Sequence, residues 1–128
     1  VVIVPSVHVA RDQSHLTWDP AIPPIATVAS GSVVEFDTLD ASGGQLNESS
    51  TVADIGTLDF ARVDQVNGPI EVEGAEPGDT LQIDLLEFSP ADWGWTASIP
   101  GFGLLSADFA EPLCRITRLP GATGRAEF

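Results

Sequence analysis

The stretch GDTLQIDLLEF, residues 78–88, sets the reading of the fold. Leu81, Ile83 and Leu85 alternate with Gln82 and Asp84, so an extended chain here has one apolar face and one wet face. Leu86 and Phe88 continue the alternation out of phase. A β-bulge near Leu85–Leu86 would return both to the core side. Working outward, SVVEFDTL (32–39), GPIEVEG (68–74) and GTLDFARV (56–63) read as three further strands, and EPLCRITRL (111–119) is an apolar strand-like run. In IEVE, Ile70 and Val72 point one way and Glu71 and Glu73 the other.

Between these runs lies turn chemistry. In AEPGDT, Pro77 fixes φ at the first central position and Gly78 accepts positive φ at the second, the type II signature. VNGP supplies Asn67 and Gly68 ahead of the Ile70 strand, and ASGS precedes the Val33 strand in the same way. The 10 prolines and 12 glycines are scattered rather than pooled in one linker. Helical periodicity is hard to find. The expected class is mostly β: an antiparallel sheet or sandwich with few or no helices. It is one β-rich domain over 1–128, with no internal repeat.

Length and composition bound what the chain does. A domain of 128 residues with 43% hydrophobic residues builds a genuine core, which argues against disorder. Acidic residues number 19 and basic ones 5, all arginine, for a formal charge of -14. That balance repels a phosphate backbone and an anionic membrane, so neither nucleic acid nor membrane is an expected partner. No apolar run is long enough to span a bilayer. VVIVPSVHVA at the start lacks a basic flank and contains proline, a poor signal peptide. The chain opens at Val1 and holds no Met, so the start of the gene product is expected upstream or removed by processing. The single cysteine, Cys114, forms no internal disulfide and reads as a buried, inert thiol. It fits a reducing, cytoplasmic setting.

Several groups carry candidate chemistry. In DTLDASGGQL, Asp37 and Asp40 flank a turn, Gly43 and Gly44 allow close backbone approach, and Gln45 follows. Read one way, the carboxylates and the glycine pair make room for a cation. Read the other way, this is an ordinary Asp/Ser/Gly loop. Glu71, Glu73, Glu76 and Asp79 are crowded, with Glu71 and Glu73 about 7 Å apart on one strand face. Such pairs serve as acid and base when burial separates their pKa values, and otherwise form a solvated strand face. Trp93, Trp95 and Phe102, punctuated by glycines, read as the lining of an apolar slot or as an irregular lid over the core. Histidine occurs only at His8 and His15, too few for a His-rich zinc site. HExxH, a calcium loop, CxxC and GxSxG are all absent.

Three blocks in order resemble the acetamidase/formamidase family. They are HLTWDPAIPPIATVASGSVVEFDTLDASGGQL (15–46), VNGPIEVEGAEPGDTLQIDLLEFSP (66–90) and DWGWTASIPGFGLL (92–105). The resemblance runs from about His15 to Phe109 and is closer to the acetamidase-like branch. It implies a largely β amidohydrolase that cleaves small amides such as acetamide or formamide to a carboxylic acid and ammonia. Related members act on a γ-lactam, and some contain a divalent metal, for which zinc is the candidate. The matching positions are His15 and Trp18 in the first block and Asp40, Gly43, Gly44 and Gln45 after it. By this resemblance Asp40 is a metal ligand or activates water, and His15 orients the substrate or binds the metal beside it. Trp18, Gln45, Gly43, Gly44 and Trp93 are assigned to the substrate.

The departures set a further expectation. Members of the family are about twice this length or more, with a second histidine- and acid-bearing block. Nothing like that block occurs before the terminal GATGRAEF. Asp64–Gln65 stands where the family usually has His-Pro. The chain is therefore expected to be an N-terminal half that needs a complementary C-terminal half or chain, and to be a homo-oligomer. The rival expectation is a non-catalytic β-domain that binds a small ligand or a protein partner.

Overall fold

The computed structural model describes residues 3–119. Val1 and the terminal GATGRAEF lie outside the described residues. Regular structure among the described residues is almost all strand, with one four-residue α-helix and a 3-10 turn, as the β-rich reading expects. The described residues gather into two compact units, 3–44 with 60–83 and 45–59 with 84–119.

The first unit holds six short strands in three two-stranded ladders. β1 (Val7–Val9) runs parallel to β4 (Val34–Phe36), and β3 (Ala26–Val28) parallel to β6 (Ile70–Val72). β2 (Ser14–His15) runs antiparallel to β5 (Val66–Asn67). Val9 and Val28 are its buried apolar side chains among the described residues, each at the end of a strand. Asn67 Nδ2 donates to the Ala10 carbonyl at 3.2 Å and the Asp37 carbonyl at 3.1 Å. One side chain thus links β5 to the ends of β1 and β4, satisfying carbonyls those short ladders leave open. The turns follow the sequence. Gly78 takes φ 105° and the Asp79 N–H closes on the Glu76 carbonyl at 3.0 Å. Gly31 takes φ 84° in the ASGS turn.

The second unit is built on β7 (Trp93–Ser98) and β8 (Leu113–Arg118), antiparallel from Trp93↔Arg118 to Ser98↔Leu113. The helix α1 (Val52–Ile55) packs against β8 and buries Ile55. At its start the Asp54 carboxylate accepts the Thr51 main-chain N–H at 2.7 Å and the Thr51 hydroxyl at 3.0 Å. That bond uses one of the donors a helix N-terminus leaves open. Arg118 pairs with Glu48.

Four readings are corrected. Residues 78–88 form no strand; Leu81, Ile83, Leu85, Leu86 and Phe88 are all exposed. A period-two pattern needs a neighbouring strand to become a ladder, and none is assigned to it among the described residues. GTLDFARV is not a strand either. Phe60–Arg62 is a 3-10 turn, and Phe60 is exposed. The Trp93–Trp95 segment is regular strand rather than an irregular lid. Finally, among the described residues two of the four ladders are parallel, and antiparallel pairing is confined to β2–β5 and β7–β8. Pattern alone cannot distinguish the two directions, because both present side chains with period two.

Candidate functional site

His15 sits in β2 opposite Val66, half-buried. Its Nδ1 lies 2.8 Å from the Thr17 carbonyl. A carbonyl only accepts, so Nδ1 carries a hydrogen and Nε2 is the nitrogen left for another partner. Trp18 meets the ring edge-on, with centroids 6.2 Å apart, and is itself 86% exposed. The HLTW spacing therefore makes a local unit: a backbone carbonyl two residues on holds the Nδ1–H, and the indole flanks the ring.

Asp40 organises the glycine loop. Its Oδ2 accepts the Ser42 N–H at 3.0 Å and its Oδ1 the Gly44 N–H at 3.1 Å. The Gly43 N–H closes on the Asp40 carbonyl at 2.9 Å. Gly43 and Gly44 take φ 68° and 75°, left-handed values that only glycine adopts at little cost. A Cβ on Gly43 would overlap the Arg62 carbonyl oxygen, so the close approach is to the chain's own backbone. Asp37 turns elsewhere. Its Oδ2 lies 3.5 Å from His8 Nε2, while Glu35 Oε2 lies 3.1 Å from His8 Nδ1, all three side chains about half exposed.

A residue outside the candidate set links the two candidate catalytic ones. Gln65 Nε2 donates to the Leu39 carbonyl at 3.2 Å and the Asp40 carbonyl at 3.1 Å. Val66, the next residue, is the ladder partner of His15. The preceding Asp64 takes φ 56° and donates its N–H to the Ala41 carbonyl at 2.9 Å. The strand that pairs with His15 thus also holds the Asp40 loop. The signal was present in the sequence as Gln and Asn just before Gly-Pro, but side-chain bonds to distant carbonyls have no spacing signature.

Gln45 and Trp93 fall in the other unit. The Gln45 amide closes a loop: Nε2 donates to the Asp59 carbonyl at 3.1 Å and Oε1 accepts the Asp59 N–H at 2.8 Å. It imitates one rung of a strand ladder. Trp93 is half-buried at the end of β7, opposite Arg118. Cys114 is half-buried in β8, and burial, followed by the negative charge of Asp54, pushes its thiol pKa up.

The donor set does not fit a complete metal site. Among the described residues no three His, Cys, Asp or Glu side chains gather as metal ligands. No helix among them is long and apolar enough to cross a membrane.

What the geometry defines is a β-rich framework in which Gln65–Val66 ties a histidine with Nδ1–H fixed on a carbonyl to a carboxylate-nucleated glycine loop. The chain belongs to the acetamidase/formamidase family, whose model it matches over residues 5–127. It is 36% identical over 105 residues to a formamidase of Methylophilus methylotrophus, a match covering 77% of this chain and 26% of that protein. It is 32% identical over 137 residues to an acetamidase of Mycolicibacterium smegmatis, covering 87% of this chain and 34% of that one. In three dimensions it resembles the acetamidase of Bacillus halodurans, with TM-score 0.80 and 29% identity over 94% of this chain and 42% of that one. It also resembles a gamma lactamase from Delftia acidovorans, with TM-score 0.81 and 30% identity over 91% of this chain and 30% of that one. The chain spans between a quarter and a little over two-fifths of the relatives it matches.

Proposed function

We propose that this chain is the part of a small-amide amidohydrolase that carries His15 and the Asp40 loop, acting with a complementary part on acetamide- or formamide-like substrates. The observation that carries the reading is the family match over nearly the whole chain, joined to relatives named formamidase and acetamidase.

Amide hydrolysis needs an activated water, a polarised carbonyl and a proton for the departing nitrogen. His15 supplies a proton acceptor, because its Nδ1–H is fixed on Thr17 and leaves Nε2 available. Asp40 supplies a carboxylate held in one orientation by two backbone N–H groups. Exposed Trp18 flanks His15 and offers an apolar wall for a small acyl group. In this reading Gly43 and Gly44 shape the Asp40 loop. A divalent metal such as zinc would supply Lewis-acid polarisation, with His15 Nε2 as the donor this chain contributes. The other donors would come from the complementary part. The protein is proposed to be cytoplasmic and to assemble as a homo-oligomer once complete.

The test is ammonia release from acetamide and formamide by the 128-residue chain, alone and with the complementary part. The expected result is no turnover alone and turnover together. Robust hydrolysis by the chain alone overturns the half-site reading. A second reading, a non-catalytic β-domain that binds a ligand or protein, draws on one observation: the Gln45 amide and both Asp40 oxygens serve their own loops. It gains if His15→Gln and Asp40→Asn leave the activity of the completed protein unchanged.

A further inference from the structure

We infer that Asn67 is a site of spontaneous modification, held unreactive by the folded chain, and that its conversion to aspartate or isoaspartate unties β5 from the ends of β1 and β4. The inference is independent of the amidase reading.

The asparagines of the chain are Asn47 and Asn67, and only Asn67 precedes a glycine. Glycine has no side chain to shield its amide nitrogen, so the Gly68 nitrogen can reach the side-chain carbonyl carbon of Asn67 once the local chain opens. Hydroxide removes the Gly68 amide proton, and the nitrogen forms a bond to Asn67 Cγ. The Cγ–Nδ2 bond breaks, Nδ2 takes a proton from water, and ammonia leaves. A cyclic imide remains, which water opens at either carbonyl. Cleaving the new bond from Cγ to the Gly68 nitrogen gives aspartate. Cleaving the original main-chain bond gives isoaspartate, with the backbone routed through Cγ. Water and hydroxide are the only other reactants.

The fold engages each reacting group. Gly68 is buried, and its N–H donates to the Gln13 carbonyl at 3.0 Å. Asn67 Nδ2, the group that must leave, donates to the Ala10 carbonyl at 3.2 Å and the Asp37 carbonyl at 3.1 Å. Asn67 itself pairs with Ser14 in the β2–β5 ladder. Ring closure needs the carboxamide to quit both carbonyls and turn onto a nitrogen freed from Gln13. The folded chain therefore reacts only through openings of this ladder.

The product cannot make the bonds that the asparagine made. Aspartate has no side-chain N–H at neutral pH. The Ala10 carbonyl is left with the Gln13 N–H, the Asp37 carbonyl loses its Asn67 donor, and both face a carboxylate. Isoaspartate also adds a carbon to the main chain beside the Ser14 pairing. Val66, the preceding residue, is the ladder partner of His15, so the strand that loosens is the one that bears on His15.

The test follows Asn67 by peptide mapping and mass spectrometry. At about pH 8 the 128-residue chain is expected to be modified at least about tenfold more slowly than a synthetic peptide of residues 62–72. In urea that unfolds the chain, its rate is expected to rise to the peptide's. Amide hydrogen exchange at Gly68 gives a second readout: in Asn67→Asp it is expected to run at least about fivefold faster than in the parent chain. Complete loss of protection is the same result at its extreme. A folded-chain rate equal to that of the peptide overturns the protection. Absence of modification in the unfolded chain overturns the site itself. Unchanged Gly68 exchange in Asn67→Asp overturns the untying of β5.

Discussion

The Gln65 side-chain amide donates to the Asp40 carbonyl at 3.1 Å, and Gln65 immediately precedes the ladder partner of His15. The two candidate catalytic residues, 25 positions apart in the sequence, are therefore held by one short strand. Gln65 has a cost as well as a use. Its Oε1 is buried without a hydrogen-bond partner. Two carbonyl bonds on one side of the amide are retained against an orphaned acceptor on the other.

That arrangement orders the substitutions at position 65. Gln65→Met keeps the volume and removes the orphan, but takes the Gln65 donor from the Leu39 carbonyl and leaves the Asp40 carbonyl the Gly43 N–H, for a loss of about 1–2 kcal/mol. Gln65→Glu places a carboxylate against the same carbonyls and is expected to cost more, roughly 3 kcal/mol. Urea midpoints for the two variants check the order. The reverse order would mean that the carbonyl bonds contribute little.

Gly43 and Gly31 both have positive φ, but only Gly43 faces a close neighbour; nothing lies within 4 Å of a Cβ built on Gly31. Gly31→Ala is expected to lose about 1–2 kcal/mol from backbone strain alone. Gly43→Ala adds a clash with the Arg62 carbonyl that the loop relieves only by moving, so roughly 3 kcal/mol or more is expected. Equal losses in denaturant unfolding would show that the Arg62 approach is not tight.

The Thr51 main-chain N–H, and next the Thr51 hydroxyl, hold the Asp54 carboxyl below its ordinary pKa. A carboxyl whose pKa is lower folded than unfolded adds stability above its unfolded value, and loses it as pH falls through the folded one. Exchange protection in α1 is thus expected to be constant from neutral pH to about 5 and to fall below about 4. In Asp54→Asn this pH step disappears. A step that persists in the variant would assign it to another carboxyl.

Burial raises the Cys114 thiol, and the Asp54 charge adds to it. The thiolate is the reactive form, so alkylation by iodoacetamide at pH 8 is expected to run at least about fivefold slower than in a free cysteine peptide. A rate equal to the peptide's would contradict an inert, half-buried thiol.

On the amidase reading proposed above, His15→Gln, assayed together with the complementary part, removes Nε2 as a proton acceptor and is expected to reduce kcat by about 10²–10⁴. Thr17 holds the ring through its backbone carbonyl, so Thr17→Ala is expected to leave kcat nearly unchanged. Steady-state ammonia release separates the two variants. A normal kcat for His15→Gln removes His15 from the reaction.

The sequence by itself determined what local physics controls. The Pro77–Gly78 and Ala29–Ser32 turns, the Ile70–Val72 and Val34–Phe36 strands and the near absence of helix were legible, because φ preferences and period-two burial act within a few residues. The three blocks also carried the family. Tertiary structure decided what depends on distant partners. Residues 78–88 have the strongest strand pattern but form no strand here, since a ladder needs a second chain segment and the pattern names none. Strand direction, the Gln45–Asp59 clamp and the Gln65–Asp40 bond lay beyond the sequence for the same reason: a hydrogen bond between remote groups is fixed by where the fold places them, not by their spacing.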